Sequence, residues 1–416
     1  FTGREEAFFA KTLGVHGLTS HFNRLEKSLK DSLGSEEAQL GENLEEVREK
    51  LLVDVVFGAL VVQRSRKYVR ESQEQEKERP AIFPTRQKPE VAEYSVRKSY
   101  GALLDKFEKA FQKDNPLFTL SIYYPLAYYI GDDETIEPFD LGRQKQVVGL
   151  IRTSFLKRFE SSVRAFELSL DRLLRKLLAF LEVNCEPGAE RVQLEKWQQQ
   201  NAEILQYAYQ QQLDIWGKEE DEEDLEEDIV PVELLAQFEK LPRKEYNVPG
   251  IIEDTFSDLD QVVDFLKEAK KFKSSDDDKL KKLLRLLKTK QLTGQKVLIF
   301  SEFADTVRYL AKELGSNGID GLDFIDGGRS GRADFIRRFS PYYNGTSTGE
   351  LKDRGVTETR VLISSDVLSE GLNLQDACFL INYDIHWNPV RLMQRIGRID
   401  RRLNPDIEKQ LIKDHP

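Results

Sequence analysis

The chain predicts an α/β fold, a parallel sheet with helices on both faces, preceded by a largely α-helical region. Three patterns carry that expectation. Apolar runs of strand length, Val297-Leu298-Ile299-Phe300, Val361-Leu362-Ile363 and Phe379-Leu380-Ile381, alternate with helical patterns, as βαβ units require. Polar pairs follow them: Ser301-Glu302, Ser364-Ser365 and Tyr383-Asp384, with Asp326-Gly327 after a further apolar stretch at Phe324. Parallel sheets place their sites at such strand ends. Upstream, Leu156, Phe159, Val163, Phe166, Leu170, Leu173 and Leu177 recur at threes and fours, the signature of a helix buried along one side and clearest from Val147 to Leu181.

Composition bounds the rest. With 416 residues there is room for two or three domains. A net charge of -11 excludes a uniformly basic nucleic-acid coat, so any contact with DNA or RNA must use local patches. Cys185 and Cys378 are far apart and lack metal-ligand spacing, which points to a reducing compartment. The longest apolar stretch, Leu51 to Val62, is too short to span a bilayer and contains Asp54. No signal peptide is visible, and a cytoplasmic location without a membrane partner is expected. A first residue Phe1 and a single methionine, Met393, predict a piece of a longer protein.

Residues 1–94 read as helices followed by a basic segment. Leu40, Leu44, Val47, Leu51 and Leu52 have helical spacing, and Gln63 to Arg70 is rich in arginine and lysine. Residues 95–217 form a long helical insertion. Within it Leu117 to Ile130 precedes Gly131-Asp132-Asp133-Glu134, whose acidic end does not amount to a magnesium site. Residues 218–275 read as an acidic linker with short helices. The run KEEDEEDLEED from Lys218 is a self-repelling solvated segment, or alternatively a nucleic-acid mimic covering a basic channel. From 276 to 416 the α/β pattern takes over: Leu280, Leu283, Leu284 and Leu287 give one apolar helix face, and Val307, Leu310, Ala311 and Leu314 give the next.

The most informative stretch is Val361 to Arg402. Asn388-Pro389 opens a helix, because Asn caps well and Pro at the first helical position loses no hydrogen bond. Beyond it Arg391, Arg395, Arg398 and Arg402 follow at spacings of four, three and four, so a continuing helix would present them on one face, with Gln394, Arg398 and Arg401 in an adjoining stripe. Gly397 costs about 1 kcal/mol relative to Ala in a helix. That cost predicts that something approaches closely, and fixed guanidinium forks suit phosphate.

These residues carry a resemblance. Gln394 to Arg401, QRIGRIDR, is similar to motif VI of superfamily-two helicases. Ser369 to Gln375, SEGLNLQ, resembles motif V in the form used by Swi/Snf-type ATPases. Tyr383 to Pro389, YDIHWNP, resembles the linking segment of that group, especially the bacterial branch that includes the RNA-polymerase-associated ATPase. The resemblance implies that residues 276–416 are the C-terminal RecA-like lobe and residues 1–94 the helical tail of the first motor lobe with its joining segment, and Leu156 to Ser162, LKRFESS, resembles a family segment leading towards the second lobe. Gln63 to Arg70 with Phe83-Pro84-Thr85-Arg86 then resembles the basic segment and proline-containing strand joining the first motor lobe to the second. Lys296 to Phe303 is similar to motif IV, which implies that Ser301 lies near a nucleic-acid backbone. The block from Phe324 to Phe339 resembles the next family segment, whose Gly-rich turn leads to a helix with Arg332, also on the nucleic-acid side. Ser364 and Ser365 are then expected to contact nucleic-acid phosphate. Glu370, Gly371 and Asn373 are expected near ATP, with Gln394 and Arg395 at the nucleotide edge and lobe interface. Arg398 and Arg401 become the candidate arginine fingers, a role worth roughly 10³–10⁵ in rate. The sequence Arg402-Leu403-Asn404-Pro405 departs from the family ending, which leaves the placement of Arg401 open.

The chain has no G-x-x-x-x-G-K-[ST]; the nearest approach, Gly327 to Arg332, lacks the lysine and the spacing. ATP and Mg²⁺ are therefore expected to be held mainly by a first lobe outside this sequence. The chain alone is expected not to hydrolyse ATP. The expected function is the C-terminal half of an ATP-dependent translocase acting on nucleic acid, double-stranded DNA by inheritance from the resemblance. The alternative is a non-catalytic binding or regulatory module. A protein partner for the helical insertion is left open, because the insertion carries no assignable motif.

Overall fold

The computed structural model describes residues 10–33, 50–51, 53–56, 82–110, 118–131, 138–216, 240–327, 331–366 and 373–415. The leucine pattern from Leu40 to Val47, the basic segment from Gln63 to Arg70 and the acidic run from Lys218 lie outside them. Contacts divide the chain into units 1–81 and 82–416. Within the first, the described residues include helix α1 (Leu18–Leu33).

The second unit contains two apolar bodies. The helical one is built from α2 (Val96–Tyr100), α3 (Ala102–Ala110), α4 (Pro138–Ser161), α5 (Val163–Asn184), α6 (Ala189–Gln200), α7 (Ala202–Trp216) and α8 (Val248–Ala269). Its core runs from Tyr100 to Ala269, with Phe107, Phe159, Phe166 and Phe265 meeting edge-to-face or stacked. Two expectations are corrected here. Residues 218–275 hold more than short helices, because Ile251, Ile252, Leu259, Val262, Val263 and Leu266 place a continuous buried stripe along the 22-residue α8, which packs on α5. The apolar pattern from Val147 to Leu181 is divided between α4 and α5. Ser162 turns to an extended conformation and its hydroxyl accepts from the Ala165 N–H, which starts a new helix.

The α/β body confirms the predicted parallel sheet. After α9 (Asp278–Leu287) come β1 (Val297–Phe300), α10 (Ala304–Ser316), β2 (Leu322–Ile325), α11 (Arg332–Phe339), α12 (Thr348–Asp353), β3 (Val361–Ser364), β4 (Phe379–Asn382), α13 (Pro389–Ile396) and α14 (Pro405–Asp414). The strand order is β2-β3-β1-β4, all parallel, with Val297 level with both Val361 and Phe379. Alternate residues feed two cores. Val297, Ile299, Val361 and Ile363 pack with Leu283, Val307 and Leu310 on one face. Leu298, Phe300 and Leu362 pack with Ile336, Phe339 and Leu374 on the other. Burial on both faces is why β1 and β3 are uninterrupted apolar runs. The proline-containing segment expected as a strand makes an isolated antiparallel bridge, Ile82 to Leu403, and Arg86 pairs with Asp400. Among the described residues no helix is long and apolar enough to cross a membrane.

Candidate functional site

The C-terminal ends of the strands gather the predicted residues, and the arrangement is asymmetric. At the β3 end, α13 starts where the sequence places it: the Asn388 side chain accepts from the Val390 N–H at 2.9 Å and Pro389 takes the first position. The helix stops at Ile396. Gly397 is its cap, and Arg398 to Arg401 follow in turns, with the Asp400 N–H bonded to the Ile396 carbonyl. The expected single guanidinium face is therefore corrected. Arg391 and Arg402 are exposed, whereas Arg395 is 2% and Arg398 7% exposed. The close approach expected at Gly397 is also internal. A Cβ there would meet the Met393 and Gln394 carbonyls, and its own carbonyl accepts from Arg401 Nε at 2.9 Å.

Arg395 is engaged wholly within the lobe. Its Nε and Nη2 donate to the two oxygens of Asp366 at 2.6 and 2.9 Å, and Nη1 donates to Asn382 Oδ1 at 3.2 Å and the Asp384 carbonyl at 2.9 Å. This two-pronged pair clamps α13 to the segment after β3. The Arg395 fork, expected at the nucleotide edge and lobe interface, is spent on Asp366. Arg401 Nη1 donates to Asn373 Oδ1 at 2.7 Å, so two expected site residues touch. The Leu374 N–H meets the Arg398 carbonyl, and Gln394 is exposed on α13. Glu370 and Gly371 lie outside the described residues.

The expected nucleic-acid residues sit deeper than a surface role predicts. Ser301, Ser364 and Ser365 are all fully buried. Ser364 Oγ donates to the Ser365 carbonyl at 2.7 Å, while Ser365 Oγ has no hydrogen-bond partner among the described residues. Arg332 is half-buried and bonds the Gly327 carbonyl.

At the β1 and β4 ends the helical body occupies the sheet edge. Asp384 Oδ2 accepts from Ser301 Oγ at 2.5 Å, Ser161 Oγ at 2.7 Å and the Glu302 N–H at 3.2 Å, and Oδ1 accepts from Lys279 Nζ at 2.7 Å. Lys279 also donates to the Glu160 and Ser161 carbonyls at 3.1 Å and stands 4.0 Å over the Tyr383 ring. Burial pushes the Asp384 carboxyl up, but the Lys279 ammonium and the two serine hydroxyls outweigh it and hold it below the ordinary carboxylate value. Alongside, Arg158 and Arg172 converge on the buried Asp305 at 3.1 Å, and the Ser161 and Ser162 hydroxyls meet Thr306 Oγ1 at 2.7 and 2.8 Å. The residues missed by sequence reasoning are Asp366, Lys279 and Asp305, together with the side-chain role of Asp384. For Asp366 the available signal was a carboxylate just past a strand, whereas Arg158 lies in the segment Leu156 to Ser162, which resembles a family segment leading towards the second lobe.

Comparison with known proteins finds similarity over part of the chain. Residues 278–402 match the helicase conserved C-terminal domain. An uncharacterized ATP-dependent helicase of Bacillus subtilis is 35% identical over 161 residues, 39% of this chain and 24% of that protein. An RNA polymerase-associated protein of Vibrio parahaemolyticus is 33% identical over 117 residues, 28% of this chain and 11% of that protein. The chain thus spans about a quarter or less of these relatives. A solved structure of the C-terminal part of the Fun30 ATPase domain aligns at 24% identity and a TM-score of 0.25, covering 38% of this chain and 50% of that one.

Proposed function

We propose, taking as premise that residues 278–402 belong to the helicase conserved C-terminal domain family, that this chain is the second-lobe half of an ATP-dependent translocase of the Swi/Snf type. Double-stranded DNA is its proposed track. The observation that carries the reading is the Arg395–Asp366 clamp, which fixes α13 so that Arg398 and Arg401, with Asn373, are gathered beside the segment following β3.

ATP, with Mg²⁺, supplies the phosphoryl group whose transfer spreads charge over the γ-phosphate oxygens, and guanidinium groups brought from a facing lobe stabilise that charge. Arg398 and Arg401 are assigned that task, Gln394 and Asn373 the nucleotide edge, and Arg395 the placing of them all. The phosphate-binding loop and the metal ligands belong to a first lobe. Ser301, Ser364 and Ser365 are assigned to shaping the strand ends that face nucleic acid, and Arg332 to the backbone contact.

The test is complementation. A first lobe carrying a phosphate-binding loop, added in trans with duplex DNA, restores ATP hydrolysis that the chain alone lacks, and Arg398→Ala lowers it by roughly 10³–10⁵. Hydrolysis by the chain alone, or activity indifferent to Arg398→Ala, overturns the assignment.

A further inference from the structure

The helical body carries a groove that the motor reading does not use. It has a volume of about 320 Å³ and opens between the segment from Tyr94 to Glu108 and the C-terminal part of α4. Its floor is aromatic: Phe107 stacks on Phe159 with centroids 4.2 Å apart, and Tyr100 lies 4.6 Å from the same ring. Val96 and Leu156 stand on its rim, 38% and 40% exposed, apolar side chains left in water.

Charge selects what can fill it. Glu108 and Glu160 line the groove and are exposed, and among the described residues neither has an ion-pair partner. No lysine or arginine is among the lining residues. Carboxylates beside aromatic rings repel phosphate and attract a cation that carries apolar surface. The groove itself is therefore unsuited to phosphate. The volume is at the lower limit for enclosed small-molecule sites, about 300–1,000 Å³, and suits one or two side chains of a longer ligand.

Both walls are also held on the α/β body. The Ser95 N–H donates to Asp278 Oδ2 at 2.8 Å and the Asp278 N–H to Ser99 Oγ at 3.0 Å, which ties the first wall to α9. Lys279 ties the second through the Glu160 carbonyl. The groove is therefore preformed, and an occupant need not order it.

We infer that this groove docks a protein segment presenting an arginine or lysine next to a bulky apolar residue, the cation between Glu108 and Glu160 and the apolar group against Leu156 and the aromatic floor. The experiment uses the full chain and a short fluorescein-labelled, amidated peptide alternating leucine and arginine, read by fluorescence polarisation. The leucine–arginine peptide binds saturably, and its counterpart with glutamate for arginine does not. The double variant Glu108→Lys with Glu160→Lys weakens binding by about tenfold or more, Glu108→Gln with Glu160→Gln by less, and Leu156→Asp abolishes it. Each variant is required to melt as the parent chain does. Since the glutamine pair alters no shape and lies on exposed positions, it keeps the test intact if a reversal unfolds the chain. Equal binding of the glutamate peptide, or indifference to both double variants, overturns the inference. So does binding of spermidine with the same sensitivity while the peptide fails to bind, which assigns the groove to a small cation.

Discussion

Lys279→Met isolates one buried link between the helical body and the sheet. The substitution keeps an unbranched apolar stem and removes the ammonium, which donates to Asp384 at 2.7 Å and to two backbone carbonyls at 3.1 Å in a site where Lys279 and Asp384 are only 7% and 8% exposed. Removing one member of such a pair leaves a buried carboxylate without its counter-charge and costs about 3–5 kcal/mol. For a unit of the size of residues 82–416 that corresponds to a fall in Tm of roughly 4–7 °C. The pH dependence supplies the signature. In the parent chain the Asp384 carboxyl is held below its ordinary value, so its contribution is full above the ordinary carboxylate range and lost as pH falls through the folded value. Without Lys279 burial is no longer outweighed, the folded value rises above the ordinary one, and protonation then favours the fold. Urea and thermal unfolding at neutral pH and near pH 5 measure both effects, and the deficit of the variant shrinks at the lower pH. A neutral-pH shift under about 2 °C, or a deficit that does not change with pH, refutes the view of Asp384 as a buried ion-pair hub.

The remaining expectations are compact. Asp366→Asn removes the charge from the Arg395 fork, so hydrogen exchange through residues 389–401 accelerates and stability drops by about 3 kcal/mol, whereas Gln394→Ala, on an exposed position, leaves both unchanged. Asp258 accepts from the Thr119 and Leu120 N–H groups at 2.8 and 2.7 Å, yet burial pushes its carboxyl up to about 6. Its protonated form therefore favours the fold, fully below its ordinary value of 3.8 and not above about 6, and stability relative to Asp258→Asn rises as pH is lowered from 7 to 5. Deleting residues 218–228 leaves duplex DNA affinity unchanged if the acidic run is a linker; a large gain, read by filter binding, assigns it as a nucleic-acid mimic.

What was legible in the sequence was whatever is local. Val297 to Phe300 and Val361 to Ile363 announce buried strands because both faces of each strand are covered, and Asn388-Pro389 announces a helix because cap and first turn are adjacent in the chain. Asn247 with Pro249 makes the same kind of start for α8, and the apolar spacing from Ile251 to Leu266 was there to be read. The end of α13 was misread for a physical reason. Arginines at threes and fours continue past Ile396, but Gly397 is a stop signal as well as a gap, and it stops this helix. Side-chain partnerships were not legible. Arg395 and Asp366 are 29 residues apart, and Ser161 and Asp384 are 223 apart, so only the fold brings them together.

That long-range pairing bears on how the helical body joins the sheet. A helical body attached only through its chain ends would be expected to meet the sheet through an exposed, polar interface. Here the α4–α5 junction is sealed onto the ends of β1 and β4 by buried groups, with Arg158 and Asp305 1% and 3% exposed and Ser161 and Thr306 joined at 2.7 Å. The strand ends are therefore divided, the β1 and β4 side given to the helical body and the β3 side to the arginine helix. Asp384 belongs to both, its carboxylate to Ser161 and Lys279 and its carbonyl to Arg395. Since each of these bonds is buried, and breaking one strands a polar group away from water, a displacement of the helical body from the sheet cannot leave the Arg395 clamp undisturbed.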